Sequence, residues 1–158
     1  PKRKMKEDGS FNVYGGNGRS GTHDERNLSG KQLIIGRVGQ KCGNTRVLDE
    51  EFWLTDNAFY VNEYHQEIDI DYLSLILTNC NLRQYARNGD LPVLSFRGIK
   101  DIEIPFHKDI KVQLDIVNRS KNIDDSLKVA VSLKEQHLSL FGELKSSVLR
   151  SVLQSKAA

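Results

Sequence analysis

Apolar residues in the last third of the chain recur at intervals of three and four, the spacing that aligns side chains along one face of an α-helix. Between Ile110 and Leu153 there is no proline, and the single glycine is Gly142. The apolar stripe consists of Ile116, Ile123, Leu127, Ala130, Leu138, Phe141, Leu144, Val148 and Val152. A helix of about 40 residues is roughly 60 Å long, longer than a domain built from the remaining residues. We therefore expect its apolar face to pair with another helix.

The stripe is not a perfect heptad pattern. Ile116, Ile123 and Ala130 keep one phase, and the pattern slips near Lys134. The pair Asp124-Asp125 could begin a second helix, with a break in the preceding turn, near residues 120–122. Two shorter helices folded back on the domain are therefore the alternative to one extended helix. The length of the stripe favours the extended helix. We predict pairing through Ile116, Ile123, Leu127, Leu138, Phe141 and Val148.

The N-terminal half has a different pattern, in which short apolar runs alternate with Gly- and Asn-rich turns. Such runs predict short β-strands joined by tight connections. The predicted strands are Phe11–Tyr14, Leu33–Ile35, Phe52–Leu54 and Ala58–Val61.

The middle of the chain changes character after His65. Asp69 to Leu82 predicts a helix with acidic residues in its first turn. Leu91–Phe96 predicts an edge strand because it contains Pro92. The sequence thus predicts an α+β fold: a β-rich globular domain with short helices over residues 1–109, then a long helix over 110–158 that forms a coiled coil or helix pair.

Charge is unevenly distributed along the chain. Residues 1–46 contain ten Lys and Arg against four Asp and Glu, residues 47–110 contain five against twelve, and residues 111–158 contain eight against five. A basic N-terminal third beside an acidic middle indicates a surface that faces a polyanion. The alternative is a solvated basic tail at Pro1–Lys6, but Arg19, Arg37, Lys41 and Arg46 lie within patterned segments.

No constellation of residues typical of an enzyme is present. The four histidines are scattered without metal-binding spacing, and no phosphate-binding GxxxxGK[ST] loop occurs. Cys42 and Cys80 are far apart and are expected to be free thiols, which favours a cytoplasmic location. No apolar run of 18 residues occurs, so no membrane span is expected. We expect a protein that binds rather than catalyses.

The turns between the predicted strands have the composition of a nucleic-acid interface. Glycine lets the backbone approach phosphates, and Arg and Asn form paired hydrogen bonds with guanine and adenine edges. The alternative for each turn is ordinary turn chemistry, which also favours Gly and Asn. The candidate DNA-binding residues are Asn17, Arg19, Ser20, Arg37, Lys41, Asn44, Arg46, Asn57 and Tyr60.

An ordered series of segments resembles the target-recognition domain of the DNA-specificity subunit of type I restriction-modification systems. The series comprises Tyr14-Gly-Gly-Asn-Gly-Arg-Ser-Gly-Thr-His-Asp24, Leu33-Ile-Ile-Gly-Arg-Val-Gly39, Gly43-Asn44 and Phe52-Trp-Leu-Thr-Asp-Asn-Ala-Phe59. The later segments Asp71-Tyr72-Leu73, Leu94-Ser95, Ile102-Glu-Ile-Pro105 and Gln113 with Ile116-Val117 fit the same family. The resemblance covers nearly the whole chain.

The resemblance implies a non-catalytic subunit that reads one half of a split DNA sequence. Its helix would set the spacing between two recognition domains and bind methyltransferase subunits, which a restriction subunit joins. S-adenosylmethionine, Mg and ATP would be bound by those partners, and no cofactor by this chain. The family's usual subunit has two recognition domains and two spacer helices. This chain has one of each, which favours a fragment or half-subunit, most simply the C-terminal half, whose helix pairs with a second half or with its own copy.

Two alternatives remain at this stage. The chain can be the recognition region of a fused restriction-methyltransferase enzyme with a catalytic part upstream. It can also be a helical oligomerisation adaptor without a role in DNA binding. Salt-dependent binding to duplex DNA would distinguish the adaptor from the two DNA-binding hypotheses, the specificity subunit and the fused enzyme.

Overall fold

Two three-stranded β-sheets form the N-terminal part of the chain in a computed structural model, which describes residues 8–87 and 89–150 in full and the backbone of 151–155. The predicted basic tail Pro1–Lys6 and the side chain of Val152 lie outside the described residues. In the first sheet, β1 (Phe11–Gly15) lies between β2 (Gly18–His23), which is antiparallel to it, and β5 (Phe52–Leu54), which is parallel. In the second, β3 (Lys31–Gly36) lies between β4 (Thr45–Asp49) and β6 (Ala58–Tyr60), both antiparallel.

The central strand β3 is buried on both of its faces, which explains its uninterrupted apolar run. Ile34 packs in a cluster with Phe52, Leu54 and Ala58, so this cluster joins the two sheets. Ile35 points to the other side, into a cluster with Leu82 and Leu94 from the segments that follow the sheets. Alternate side chains of a strand point to opposite faces, so a strand covered on both faces needs consecutive apolar residues.

The strands predicted from apolar runs are present, but β2 and β4 were not predicted. β2 has the sequence Gly-Arg-Ser-Gly-Thr-His, and only its last residue is buried. Its strand structure comes from antiparallel pairing with β1 across a tight turn rather than from an apolar pattern. The predicted α+β fold class is confirmed.

Three short helical elements follow the sheets. α1 (Ile70–Asn79) begins at Asp69, whose carboxylate accepts a hydrogen bond from the Tyr72 backbone N–H at 2.8 Å. A 3₁₀-helix covers Leu82–Tyr85, and α2 covers Phe96–Ile99. The predicted edge strand Leu91–Phe96 is wrong. Only isolated bridges form there, at Val93, and Ser95 caps α2 by accepting a hydrogen bond from the Gly98 N–H at 3.1 Å.

The long helix is α3, Ile110–Ser155, and the break considered near residues 120–122 does not occur. The chain divides into two compact units between Val117 and Asn118. The predicted boundary between residues 109 and 110 coincides with the start of α3. The first compact unit extends further, because it also includes the first two turns of this helix. Gln113 is fully buried there: its Oε1 accepts from the Asp69 N–H at 2.8 Å and its Nε2 donates to the His107 carbonyl at 2.6 Å.

The described part of the second compact unit is the helix from Asn118 to Ser155. The predicted pairing residues Ile123, Leu127, Leu138, Phe141 and Val148 are all more than half exposed in the single chain. Ile116 lies in the first unit and is partly buried. None of the helices in the described part of the chain is long and apolar enough to cross a membrane.

Candidate nucleic-acid interface

The strand topology brings three connections to one end of the two sheets. β1 and β5 are parallel, with Tyr14 beside Leu54, so the turns that follow these strands emerge at the same edge. β3 and β6 are antiparallel with Gly36 beside Ala58, so the end of β3 lies beside the start of β6. The hairpin turn at residues 15–18, the loop at 37–44 and the turn at 55–57 therefore meet. We refer to these three segments together as the loop cluster.

Backbone contacts hold the loop cluster together. The Asn57 carbonyl accepts hydrogen bonds from the N–H groups of Arg37 at 2.9 Å and Val38 at 3.3 Å. Gly16 lies so close that a Cβ there would stand 2.2 Å from the Val38 carbonyl oxygen and 2.7 Å from that of Asn57. Real Cβ atoms do not approach backbone oxygens at such distances, so only glycine fits at this position without moving the backbone.

Asn17 connects the hairpin turn to loop 37–44. Its Oδ1 accepts a hydrogen bond from the Lys41 backbone N–H at 3.2 Å. Gly39 adopts a φ of +104°, and a Cβ there would meet the Asn17 side chain at 2.8 Å. Both Asn17 and Lys41 remain exposed, so the Asn17 Nδ2 and the Lys41 ammonium are available at the surface. These are two of the groups that the sequence predicted to bind DNA.

Arg37 is partly buried beneath the turn at 55–57. Its Nη1 donates to the Asp56 carbonyl at 3.2 Å, and its guanidinium carbon lies 5.5 Å from the centroid of the Phe59 ring. Its buried Nε has no hydrogen-bond partner within the described residues. These contacts orient the guanidinium. Arg37 therefore supports the turn at 55–57 and is also a candidate DNA-binding residue.

Arg46 extends from β4 of the second sheet to the hairpin turn of the first. Its Nη2 donates to the Gly16 carbonyl at 3.2 Å, and its Nη1 lies 3.5 Å from the Gly15 carbonyl. Burial lowers the pKa of Arg46 below its usual value, an effect that nearby Tyr14 partly opposes. The guanidinium remains charged at neutral pH, because an arginine side chain is not deprotonated in proteins. Arg46 therefore fixes the position of the turn that carries Asn17.

The other predicted residues surround the loop cluster. Arg19 is exposed on β2 opposite Tyr14, whereas Ser20 donates its hydroxyl to the Val13 carbonyl at 3.4 Å. Asn44 lies at the base of loop 37–44, where its carbonyl accepts from the Gly36 N–H at 2.9 Å. Tyr60 ends β6, and its exposed hydroxyl donates to the Asn62 Oδ1 at 3.4 Å.

Glu50 supports β1 in a way that the sequence did not reveal. Its carboxylate accepts hydrogen bonds from the Tyr14 hydroxyl at 2.6 Å and from the Asn12 Nδ2 at 2.8 Å. Burial, reinforced by the hydrogen bond and the negative charge of Glu50, raises the pKa of Tyr14. No pattern links an acid in a turn to two polar residues 36 and 38 positions earlier. The contact depends on the parallel pairing of β1 and β5.

Comparison with known proteins agrees with the resemblance seen in the sequence. The chain is 33% identical over 94 residues to the type I restriction enzyme EcoprrI specificity subunit of Escherichia coli. The match covers 60% of this chain and 23% of that protein. No family model matches the chain.

A solved structure shows the same fold. The crystal structure of the type I restriction-modification system S subunit from M. genitalium matches with a TM-score of 0.68 and 23% sequence identity. The match covers 84% of this chain and 36% of that structure. The chain thus corresponds to less than half the length of each specificity subunit that it resembles.

Proposed function

We propose that this chain is a DNA target-recognition domain with a spacer helix, part of the specificity subunit of a type I restriction-modification system. The observation that carries the proposal is the loop cluster, in which three polar loops from different strands meet around Asn17 and Lys41. The similarity to two specificity subunits, in sequence over 94 residues and in fold, supports it. The loop cluster would contact one half of a bipartite site in the major groove.

The exposed groups of the loop cluster suit this role. Asn17 and Asn57 present side-chain amides, which can pair with the N6 and N7 atoms of adenine. Lys41 presents an ammonium that can neutralise a phosphate, which positions the domain without reading sequence. Arg46 holds the hairpin turn, and Glu50 holds β1, through hydrogen bonds. Because these contacts already fix the loops, less conformational entropy is lost when DNA binds.

The test is the salt dependence of binding to a fluorescein-labelled duplex of random sequence, measured by anisotropy. If the loop cluster contacts phosphates, the logarithm of the affinity falls linearly with the logarithm of salt concentration, by about 0.9 per phosphate contact. Lys41→Gln should reduce this slope by about one contact. Lys31→Gln, at the opposite end of β3, is the matched control and should leave it unchanged. Binding that is insensitive to salt, or no binding, would contradict the proposal and favour an adaptor without a role in DNA binding.

The long helix would serve assembly in the same proposal. Its exposed apolar stripe would pair with a second recognition half or with its own copy, and would bind methyltransferase subunits, which a restriction subunit joins. The chain itself would catalyse nothing. S-adenosylmethionine, Mg and ATP would be bound by the partners, and the complex would work in the cytoplasm.

Substitution on the stripe tests the assembly role. The pair Ile123→Asp and Leu127→Asp should abolish capture of the cognate methyltransferase subunit, because it places two carboxylates on the apolar face. The pair Ser132→Asp and Gln136→Asp adds the same charge to the other side of the helix and should leave capture intact. Equal capture by both pairs would refute helix pairing. Absence of capture by the parent chain itself, with duplex binding intact, would favour a recognition region that works in cis within a fused enzyme.

A further inference from the structure

A second group of cations lies in the segment between α1 and α3. Residues 82–87 and 89–100, which we call the basic lobe, contain Arg83, Arg87, Arg97 and Lys100 against the single acid Asp90. The preceding stretch, residues 47–82, contains eight Asp and Glu and no Lys or Arg. The positive charge is therefore local to the basic lobe.

The basic lobe adjoins the loop cluster directly. The Gly39 N–H donates to the Pro92 carbonyl at 3.0 Å, and the Leu94 N–H donates to the Arg37 carbonyl at 2.8 Å. Val38 forms a β-bridge with Val93, and Arg83 donates to the Gln40 carbonyl. Loop 37–44 is thus held by the hairpin turn through Asn17 and by the basic lobe through these contacts. The basic lobe and the loop cluster are therefore adjacent in the fold.

Two of the cations have no side-chain partner among the described residues. The side chains of Arg87 and Arg97 are exposed and make no hydrogen bond or ion pair with any described residue. Arg83 is bonded to the Gln40 carbonyl, and the Lys100 Nζ lies 3.2 Å from the Asp101 carboxylate. Arg87 and Arg97 therefore contribute little to the fold, because an exposed arginine without a partner adds little stability.

Large apolar side chains lie among these cations. Phe96 is 68% exposed and immediately precedes Arg97, and Leu91 is 59% exposed. Tyr85 is 42% exposed in the 3₁₀-helix that packs against α2, where a Cβ on Gly98 would lie 3.2 Å from the Tyr85 carbonyl oxygen. Aromatic residues alternating with arginines, on a lobe with a net charge of +3, match the phosphates and apolar edges of a nucleic acid.

We propose that the basic lobe is a second DNA-contacting surface of this domain, with Arg87 and Arg97 bound to duplex phosphates and Phe96 against deoxyribose or a thymine methyl group. The inference rests on the proposed function and extends it from the loop cluster to a segment on the far side of loop 37–44. The excess of four cations over one acid favours duplex DNA over a protein partner, since a surface dominated by positive charge complements a polyanion.

The experiment measures anisotropy of a labelled 24-base-pair duplex of random sequence with the full chain, over a series of salt concentrations. Arg87→Gln with Arg97→Gln should reduce the slope of log affinity against log salt by about 1.8, and weaken binding at least about tenfold in 0.1 M salt. Phe96→Ala should weaken binding without changing the slope, because it removes an apolar contact only. Thermal unfolding of each variant should match that of the parent chain, because all three side chains are exposed.

The control of equal charge is Arg26→Gln with Lys31→Gln, although these two cations form ion pairs with Glu51 and Asp71. Arg26 follows β2 and Lys31 begins β3, so both lie at the end of the strands away from the loop cluster. This pair removes the same charge, and its slope should equal that of the parent chain. An unchanged slope in the Arg87 and Arg97 pair, while the parent binds, would overturn the inference and leave the proposed function intact. Loss of methyltransferase capture with unchanged DNA binding would overturn it in favour of a protein-docking face. Absence of salt-dependent binding by the parent chain would overturn both.

Discussion

The substitution Gly16→Ala tests whether the loops meet as described. Gly16 is not in the left-handed region of φ, so alanine is not excluded by backbone conformation. The added methyl group would instead lie 2.2 Å from the Val38 carbonyl oxygen and 2.7 Å from the Asn57 carbonyl oxygen. Both atoms belong to backbone that is hydrogen-bonded in the loop cluster, so neither can rotate away as a flexible side chain would.

The expected cost follows from overpacking, which typically destabilises a core by about 1–3 kcal/mol. A rigid backbone contact favours the upper part of this range. For a domain of this size, each kcal/mol lowers the melting temperature by roughly 4–8 °C, so we expect a fall of about 10–20 °C. Because the hairpin turn must move away from loop 37–44, the variant should also lose duplex affinity at temperatures where it is still folded.

The assay is thermal unfolding followed by circular dichroism, together with duplex anisotropy at 15 °C. Gly89→Ala is the matched control, because a Cβ at Gly89 meets nothing within 4 Å and its φ is not in the left-handed region. It should be neutral in both assays. A Gly16→Ala protein that unfolds at the parent temperature and binds DNA equally well would refute the packing of the three loops.

Three further predictions concern the loop cluster, the long helix and Tyr14. Lys41→Gln should lower the salt slope of DNA binding by about 0.9 and leave the free energy of unfolding unchanged. Arg37→Gln should weaken DNA binding and also lower the free energy of unfolding by about 1–2 kcal/mol, because it loses the hydrogen bond to the turn at 55–57. Denaturant titration of both variants measures the free energy of unfolding. Ile123→Asp with Leu127→Asp should leave the melting of the globular unit unchanged while it lowers the mass of the assembled complex in light scattering. The raised pKa of Tyr14 means that its protonated form stabilises the fold, so this stability is complete below about pH 10 and lost at higher pH; Tyr14→Phe should flatten the alkaline decline in melting temperature.

Local pattern predicted some elements correctly and failed for others. Leu33–Ile35 was predicted as a strand because a strand buried on both faces has no polar alternation. β2 was missed because its polar residues are held by pairing with β1. The strand predicted at Leu91–Phe96 fails because its backbone groups bond to Gly39, Arg37 and Arg87, and Ser95 caps α2 instead. These are tertiary contacts that no local window contains.

The candidate site was predicted as residues in loops but not as one surface. Its assembly requires the parallel pairing of β1 with β5, segments about 40 positions apart. Sequence pattern alone also does not distinguish an exposed DNA-binding side chain from one that supports the loops internally. Lys41 is exposed, whereas Arg46 is directed at backbone carbonyls of the hairpin turn. Both have the same charge and lie in similar surroundings in sequence.

The charge pattern of the sequence does not reveal the basic lobe, for a related reason. Its four cations lie within residues 47–110, where twelve acids outweigh the cations. Most of those acids precede residue 82, on other elements of the fold. The structure separates the two groups and shows that the cations adjoin loop 37–44 through the Pro92 and Leu94 backbone contacts. Charge summed over a long window therefore conceals a local surface.

The most direct test of the central claim is selection of bound duplexes from a randomised DNA pool by this chain together with its methyltransferase subunit. If the loop cluster reads sequence, one short sequence motif is enriched at a fixed position, and Asn17→Ala or Asn57→Ala changes the preferred base at individual positions of that motif. Recovery of DNA without any enriched motif, or a motif that survives both substitutions unchanged, would contradict the assignment of sequence recognition to the loop cluster.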